Sequence, residues 1–176
     1  MTDPTSAPTD KTDKTGGSPG APIRILIAED QALLRTTLAA LLEAEPGMSV
    51  VGLAEDGARA VALATELRPD VVLMDVRMPV LNGIDATARI SQLYPSIRVL
   101  VLTTYDQDEF AFGALSAGAS GFLLKDTRTA DLHQALRAVS SGDAILTPRI
   151  TRELLNRHML SPVASPRQRA ARQRLD

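Results

Sequence analysis

The chain has 176 residues, 44% of them apolar, which suits one globular domain with tails. Aromatic residues are only 3% and cysteine is absent, which argues against base-stacking nucleic-acid modules and excludes disulfides, Cys-zinc sites and thiol catalysis. The net charge of −2 is unevenly spread: residues 149–176 hold seven Arg against Glu153 and Asp176, leaving an acidic body that binds a phosphate backbone poorly by itself.

Residues 1–22 are Thr, Pro, Asp, Lys, Gly and Ser with almost nothing apolar. Such a segment buries too little surface to offset its ordering entropy, so a disordered tail is predicted. It lacks the apolar stretch of a signal peptide, and no run in the chain approaches the ~18 apolar residues of a membrane span. A cytoplasmic protein with no membrane partner is the simplest expectation.

From residue 23 two patterns alternate. Short apolar runs rich in β-branched residues stand at 23–28, 48–54, 70–74, 97–103 and 120–124. Between them lie helically spaced stretches, marked by Leu33, Leu34, Leu38, Leu41 and Leu42, then by Ala58, Val61, Ala62, Ala64 and Leu67, then by Ile84, Ala88, Ile90 and Leu93. "DEFAFGALSAG" and "TADLHQALRAVSSG" supply two more. The alternation predicts an α/β fold, a doubly wound five-stranded parallel sheet (βα)5 of flavodoxin-like type with helices on both faces. Central parallel strands are buried on both sides, as the continuous runs Val71–Met74 and Val99–Leu102 require.

Punctuation agrees. Asp30 and Asp106 suit helix N-caps, Gly118 and Gly142 suit C-caps, and Pro46, Pro69 and Pro95 each stop a helix. After the fifth unit, "LTPRITRELLNRHML" predicts a short extra C-terminal helix within 146–160, with Thr147 as N-cap and Pro148 at the first helical position. Residues 161–176 form an Arg-rich tail.

Ligands of open parallel sheets bind at the strands' carboxyl ends. There the first strand delivers Glu29 and Asp30, the third Asp75, the fourth Thr103 and Thr104, and the fifth Lys125; Glu55 and Asp56 of the second should lie outside. Each alone has a bland reading, as cap, turn or surface residue. Their convergence on one edge is what carries weight. Three neighbouring carboxylates repel unless a hard cation compensates, and Mg2+ takes carboxylates while leaving positions for phosphate oxygens. A rigid carboxylate, a metal site, a lysine and a hydroxyl are the parts for phosphoryl transfer to Asp75. "RMPVLNG" should turn the chain away, with Asn82-Gly83 tolerating positive φ and the Arg77 carbonyl near enough to complete a metal shell. His133 and His158 have no ligand-spaced partner and are expected to be structural or surface residues.

"ILIAEDQALLR", "DVVLMDVRMPVLNGIDA" and "VLVLTTYDQDEFAFGALSAGASGFLLKD" together resemble the CheY-like receiver domain of two-component response regulators, over roughly residues 23–145. The finer pattern "LTTYD…AGASGFLLKD" is similar to the NarL/FixJ subgroup, often followed by a LuxR-type helix-turn-helix. The resemblance implies that Asp75 accepts phosphate from a sensor histidine kinase. It further implies Mg2+ held by Asp30, Asp75 and the Arg77 carbonyl, with Glu29 acting through water. Thr103 and Lys125 would hold the phosphoryl group, Thr104 lies beside them, and Tyr105 matches an aromatic switch. A homodimer formed on phosphorylation would follow, with DNA reached only through an output domain.

Two departures stand out. Asp126 follows the lysine where many receivers have proline, and only 17 residues follow Met159, too few for a helix-turn-helix. The alternative is therefore a stand-alone or pseudo-receiver acting through protein contacts. A HAD-type phosphatase needs a second Asp where Arg77 stands, and an FMN-binding flavodoxin should not place Glu29-Asp30 against phosphate.

Overall fold

The computed structural model describes residues 20–104 and 109–144, the side chain of Glu109 excepted. The expected extra helix of 146–160, the Arg-rich tail, His158, the Asp106 cap and nearly all of the N-terminal tail lie outside these residues. Five strands, β1 (Ile23–Ala28), β2 (Met48–Ala54), β3 (Val71–Asp75), β4 (Arg98–Thr103) and β5 (Gly121–Leu124), alternate with α1 (Ala32–Glu43), α2 (Gly57–Leu67), α3 (Gly83–Leu93), α4 (Glu109–Ser116) and α5 (Thr129–Ser140). All observed strand pairs are parallel, in the order β2-β1-β3-β4-β5.

Successive strand residues point to opposite faces, so each buried strand feeds two cores. Ile25, Ile27, Val71, Leu73, Leu100 and Leu102 pack with Leu38 and Leu42 of α1 and Leu132, Leu136 and Val139 of α5. Their neighbours Leu26, Ala28, Val72, Met74, Val99 and Val101 pack with α2, α3 and α4 through Leu63, Ile90, Ala111 and Ala114. Phe122 is fully buried among the second set. Aliphatic side chains thus supply nearly all of both cores, as the scarcity of aromatics demands. The order reverses between β1 and β3, and the crevice beyond that switch point receives the ends of both strands.

Most of the punctuation is as expected. Gly118 and Gly142 follow their helices with φ of 108° and 95°. Asp56 caps α2, its Oδ1 accepting from the Arg59 N–H at 2.7 Å. Asp56→Ala should therefore lower stability by about 1 kcal/mol. In urea unfolding this appears as a lower midpoint at unchanged slope; an unmoved midpoint would show that the cap contributes nothing.

Two local expectations are corrected. Asp30 does not cap α1: Gln31 occupies that position, with no side-chain cap bond. The Asp30 carboxylate instead lies with the acids at the strand ends. In the β3–α3 loop the positive φ falls on Val80 (69°), not on Asn82 or Gly83. Asn82 is the α3 N-cap, its Oδ1 accepting from the Asp85 N–H at 2.9 Å. Gly83 is needed for contact rather than torsion. A Cβ there would lie 1.8 Å from the Asp75 carbonyl oxygen.

His133 is structural, as expected. It is buried on α5, with Nδ1 3.3 Å from Glu45 Oε2, and Arg137 engages the same carboxylate. The Arg137 hydrogen bond, aided by the charges of His133 and Arg137, holds the Glu45 carboxyl below its usual range against a smaller opposing effect of burial.

Candidate functional site at the carboxyl edge of the sheet

β1 runs from Ile23 into Glu29, whose N–H still bonds the Ala54 carbonyl at 3.0 Å, so Glu29 continues the sheet beyond the strand's last residue. Glu29 is 1% exposed, and its Oε1 accepts from the Gln31 N–H at 3.3 Å. Arg35, one turn into α1, reaches back with Nη1 to the Glu29 carbonyl at 2.7 Å and the Asp30 carbonyl at 3.4 Å. That clamp holds the two acids at the edge. Sequence reasoning missed it; the signal was a basic residue one helical turn after an acidic pair.

Asp75 ends β3 and is 4% exposed. One carboxylate oxygen from each of Glu29, Asp30 and Asp75 lies within 4.8 Å of the others, among the described residues a grouping able to hold a metal ion. Glu55 and Asp56 are not in it, as predicted. Lys125 follows β5 and extends its ladder, its N–H donating to the Thr103 carbonyl at 2.7 Å. Its Nζ stands 3.1 Å from Asp75 Oδ1 and 3.1 Å from Glu29 Oε2. Thr103 is fully buried at the end of β4, and Thr104 beside it is exposed. Arg77 lies two residues past Asp75, its guanidinium carbon 5.7 Å from the Phe110 ring centre. Tyr105 lies outside the described residues.

The electrostatics are those of excess negative charge. Burial, reinforced by the Glu29 charge and more weakly by Asp30, pushes the Asp75 carboxyl up to about 7, although Lys125 opposes the rise. Burial works against the Lys125 ammonium, yet its contacts with Asp75 and Glu29 raise its pKa overall. One lysine therefore does not neutralise the cluster. An all-oxygen donor set with residual negative charge suits a hard divalent cation.

Two glycines hold the loop that leaves this site. Gly83 donates its N–H to the Val76 carbonyl at 2.8 Å while its α-carbon packs on Asp75. Gly57, at the start of α2, donates to the Leu81 carbonyl at 3.0 Å, and a Cβ there would lie 2.1 Å from that oxygen. No described helix is long and apolar enough to cross a membrane.

Comparison with known proteins agrees with this geometry. The family described as response regulator receiver domain matches residues 25–137. The transcriptional regulatory protein LnrK of Bacillus subtilis (strain 168) is 42% identical over 134 residues, 76% of this chain and 61% of LnrK. Over the first four curated relatives the matched share of their length is 56–64%, so the chain spans less than two thirds of each. A LuxR-family two-component response regulator from Aurantimonas sp. SI85-9A1 superposes with a TM-score of 0.72 at 34% identity, covering 79% of this chain and 99% of that one. The isolated receiver domain of RcsB from Salmonella enterica serovar Typhimurium, solved in the presence of the phosphomimetic BeF3−, gives 0.66 at 25% identity, covering 74% and 97%. With its sheet order, its acidic edge and these matches, the chain belongs to the response regulator receiver domain family of two-component systems.

Proposed function

We propose that Asp75 is the phosphoacceptor of a response regulator, taking a phosphoryl group from a sensor histidine kinase. The observation that carries this reading is the placement of Asp75 between Lys125 and the Glu29-Asp30 pair at the switch point of the sheet. Lys125 engages Oδ1, which favours Oδ2 as the oxygen that attacks phosphorus in this reading. As the new P–O bond forms, the P–N bond to the kinase histidine breaks and the imidazole nitrogen keeps the electron pair. Lys125 Nζ then faces the charge gathering on the phosphoryl oxygens, and the buried Thr103 hydroxyl is assigned as a further donor. Glu29, Asp30, Asp75 and the Arg77 carbonyl are the groups that would hold Mg2+, which supplies charge neutralisation for the acids and the phosphoryl group.

The output follows from the relatives. The curated proteins matching this chain include transcriptional regulators. We assign this receiver the same role: phosphorylation shifts the α4, β5 and α5 face and Tyr105, promotes a homodimer, and controls transcription through a DNA-binding output domain.

Incubation with acetyl phosphate and Mg2+ tests the chemistry. The expected product is one phosphoryl adduct by intact mass, acid-stable and base-labile, on the wild type. A wild type that acquires no adduct and binds no Mg2+ would overturn the reading in favour of a receiver acting through protein contacts alone.

A further inference from the structure

The amino edge of the sheet, a full strand length from Asp75, carries a cavity of about 610 Å³. Ile23, Pro69 and Ile97 supply apolar lining, and Arg68, Ser96 and Arg98 supply polar lining. Pro69 and Ile97 are buried, and both arginines are exposed. The loop between α2 and β3 that carries Arg68 is fastened to two strands. The Asp70 N–H donates to the Arg24 carbonyl at 2.9 Å, and the Arg24 N–H donates to Asp70 Oδ2 at 2.9 Å. The Arg98 N–H donates to the Asp70 carbonyl at 3.1 Å.

Helix ends expose carbonyls, and cations favour such places, so an arginine at this edge has an ordinary structural use. That use is already met. Arg24 Nη1 donates to the Arg68 carbonyl at 2.9 Å, and Arg68 Nε donates to the Thr65 carbonyl at 3.0 Å. The Arg68 guanidinium also lies over the Tyr94 ring, 3.8 Å from its centre. Its Nη groups and the whole Arg98 side chain form no ion pair among the described residues. Arg98 Nη2 reaches the turn after α5, where a Cβ on Gly142 would lie 3.7 Å from it. Asp70 also lines the cavity, yet it pairs with neither arginine, and its Oδ2 is taken by the Arg24 N–H. The backbone gives an independent sign. Arg68 is the C-cap of α2, with φ 48° and ψ 61°. Glycine or asparagine ordinarily takes that left-handed conformation. A longer side chain there is strained, and such strain clusters at ligand sites.

We propose that the amino-edge cavity binds a nucleoside diphosphate, with its phosphate oxygens on the Arg68 and Arg98 guanidiniums and its organic part against Ile23, Pro69 and Ile97. Planar guanidiniums match phosphate oxygens in two-pronged fashion, and two of them suit two phosphates. The Ser96 hydroxyl stands in the same lining as a further donor. The volume exceeds what a bare phosphate needs and is usual for small-molecule sites. The positive charge is the chain's own, so binding needs no metal and does not depend on Asp75.

Isothermal titration of the full chain with ADP and with UDP tests this, in EDTA so that no metal bridges nucleotide to the acidic edge. At least one should bind with a Kd below about 1 mM, and inorganic pyrophosphate, which lacks the organic part, about tenfold more weakly. Arg98→Gln and Arg68→Gly should each weaken nucleotide binding about tenfold or more. Glycine relieves the left-handed strain, so Arg68→Gly loses the ligand while keeping the fold, which a thermal melt checks. Arg89→Gln removes the same charge from an exposed position on α3 outside the cavity and should leave the affinity unchanged. An equal loss in Arg89→Gln would reduce the attraction to net charge and overturn the site. Binding that survives both cavity variants would overturn it too, as would failure of both nucleotides to bind. Pyrophosphate binding as tightly as the nucleotides would overturn the assignment of a nucleoside to the apolar lining.

Discussion

Asp75→Asn should abolish the phosphoryl adduct completely while raising the melting temperature of the metal-free protein by a few degrees at pH 8. The loss follows because an amide oxygen is a poor nucleophile and its acyl phosphate analogue does not form. The gain follows from charge. Burial and the Glu29 carboxylate raise the folded-state pKa of Asp75 to about 7, from an ordinary value of 3.8. Between those values the folded chain holds a proton that the unfolded chain has released. Stability contributed by this group is therefore fully present below about pH 4 and declines as pH rises through 7. The variant carries no such carboxyl, so thermal melts should show wild type and variant converging near pH 4 and separating by pH 8. Mg2+ should close much of the gap by stabilising the wild type most strongly above pH 7. Equal melting temperatures at pH 8 without metal would show that the three carboxylates do not repel as their spacing implies.

Gly83→Ala should cost about 3 kcal/mol or more and impair phosphorylation as well. The added methyl would meet the Asp75 carbonyl oxygen at 1.8 Å and the Asp75 carbonyl carbon at 2.8 Å. These are backbone atoms of a central strand, paired with β4, and they have no free rotation by which to withdraw. The end of β3 must shift, and Asp75 with it. Gly113→Ala is the control. There the nearest atom is Cδ1 of Ile84 at 3.3 Å, a side-chain terminus, and alanine is the better helix former. Guanidinium melts should therefore place Gly83→Ala far below the wild type and Gly113→Ala close to it. A Gly83→Ala midpoint near the wild type would mean that β3 and α3 can separate at little cost.

The strands and their order of appearance were readable because buried parallel strands need unbroken apolar runs, and Val71–Met74 and Val99–Leu102 have no other economical use. The convergence of Glu29, Asp30, Asp75 and Lys125 was readable for the same reason, since the strand ends share one edge. Three things were not. Asp30 has the chemistry of a cap, and only three-dimensional proximity shows that its carboxylate sits with the other acids. Asn82-Gly83 has the chemistry of a left-handed turn, yet Val80 takes that torsion. A β-branched residue is disfavoured there, so loop closure between Asp75 and α3 overrides local preference. The cavity of about 620 Å³ beside the acidic cluster was illegible because it is bounded by Asp30 and by residues from the β3–α3 loop, α3 and α4 that no periodicity relates.

The two layers of helices are also fastened unequally. On one face, α1 and α5 drive Leu38, Leu42, Leu132, Leu136 and Val139 into the sheet. On the other, α4 is eight residues long, and its fully buried side chains are Ala111 and Ala114. A leucine pulled from its socket leaves a hollow; a methyl group sliding across a flat sheet leaves almost none. The sheet thus grips α1 and α5 by buried large side chains, and α4 by two methyl groups with Phe110 and Leu115 only partly buried beside them, like a hinge with one leaf screwed down and the other resting on smooth studs. A displacement starting at the carboxyl edge would cost less packing at α4 than at α1 or α5.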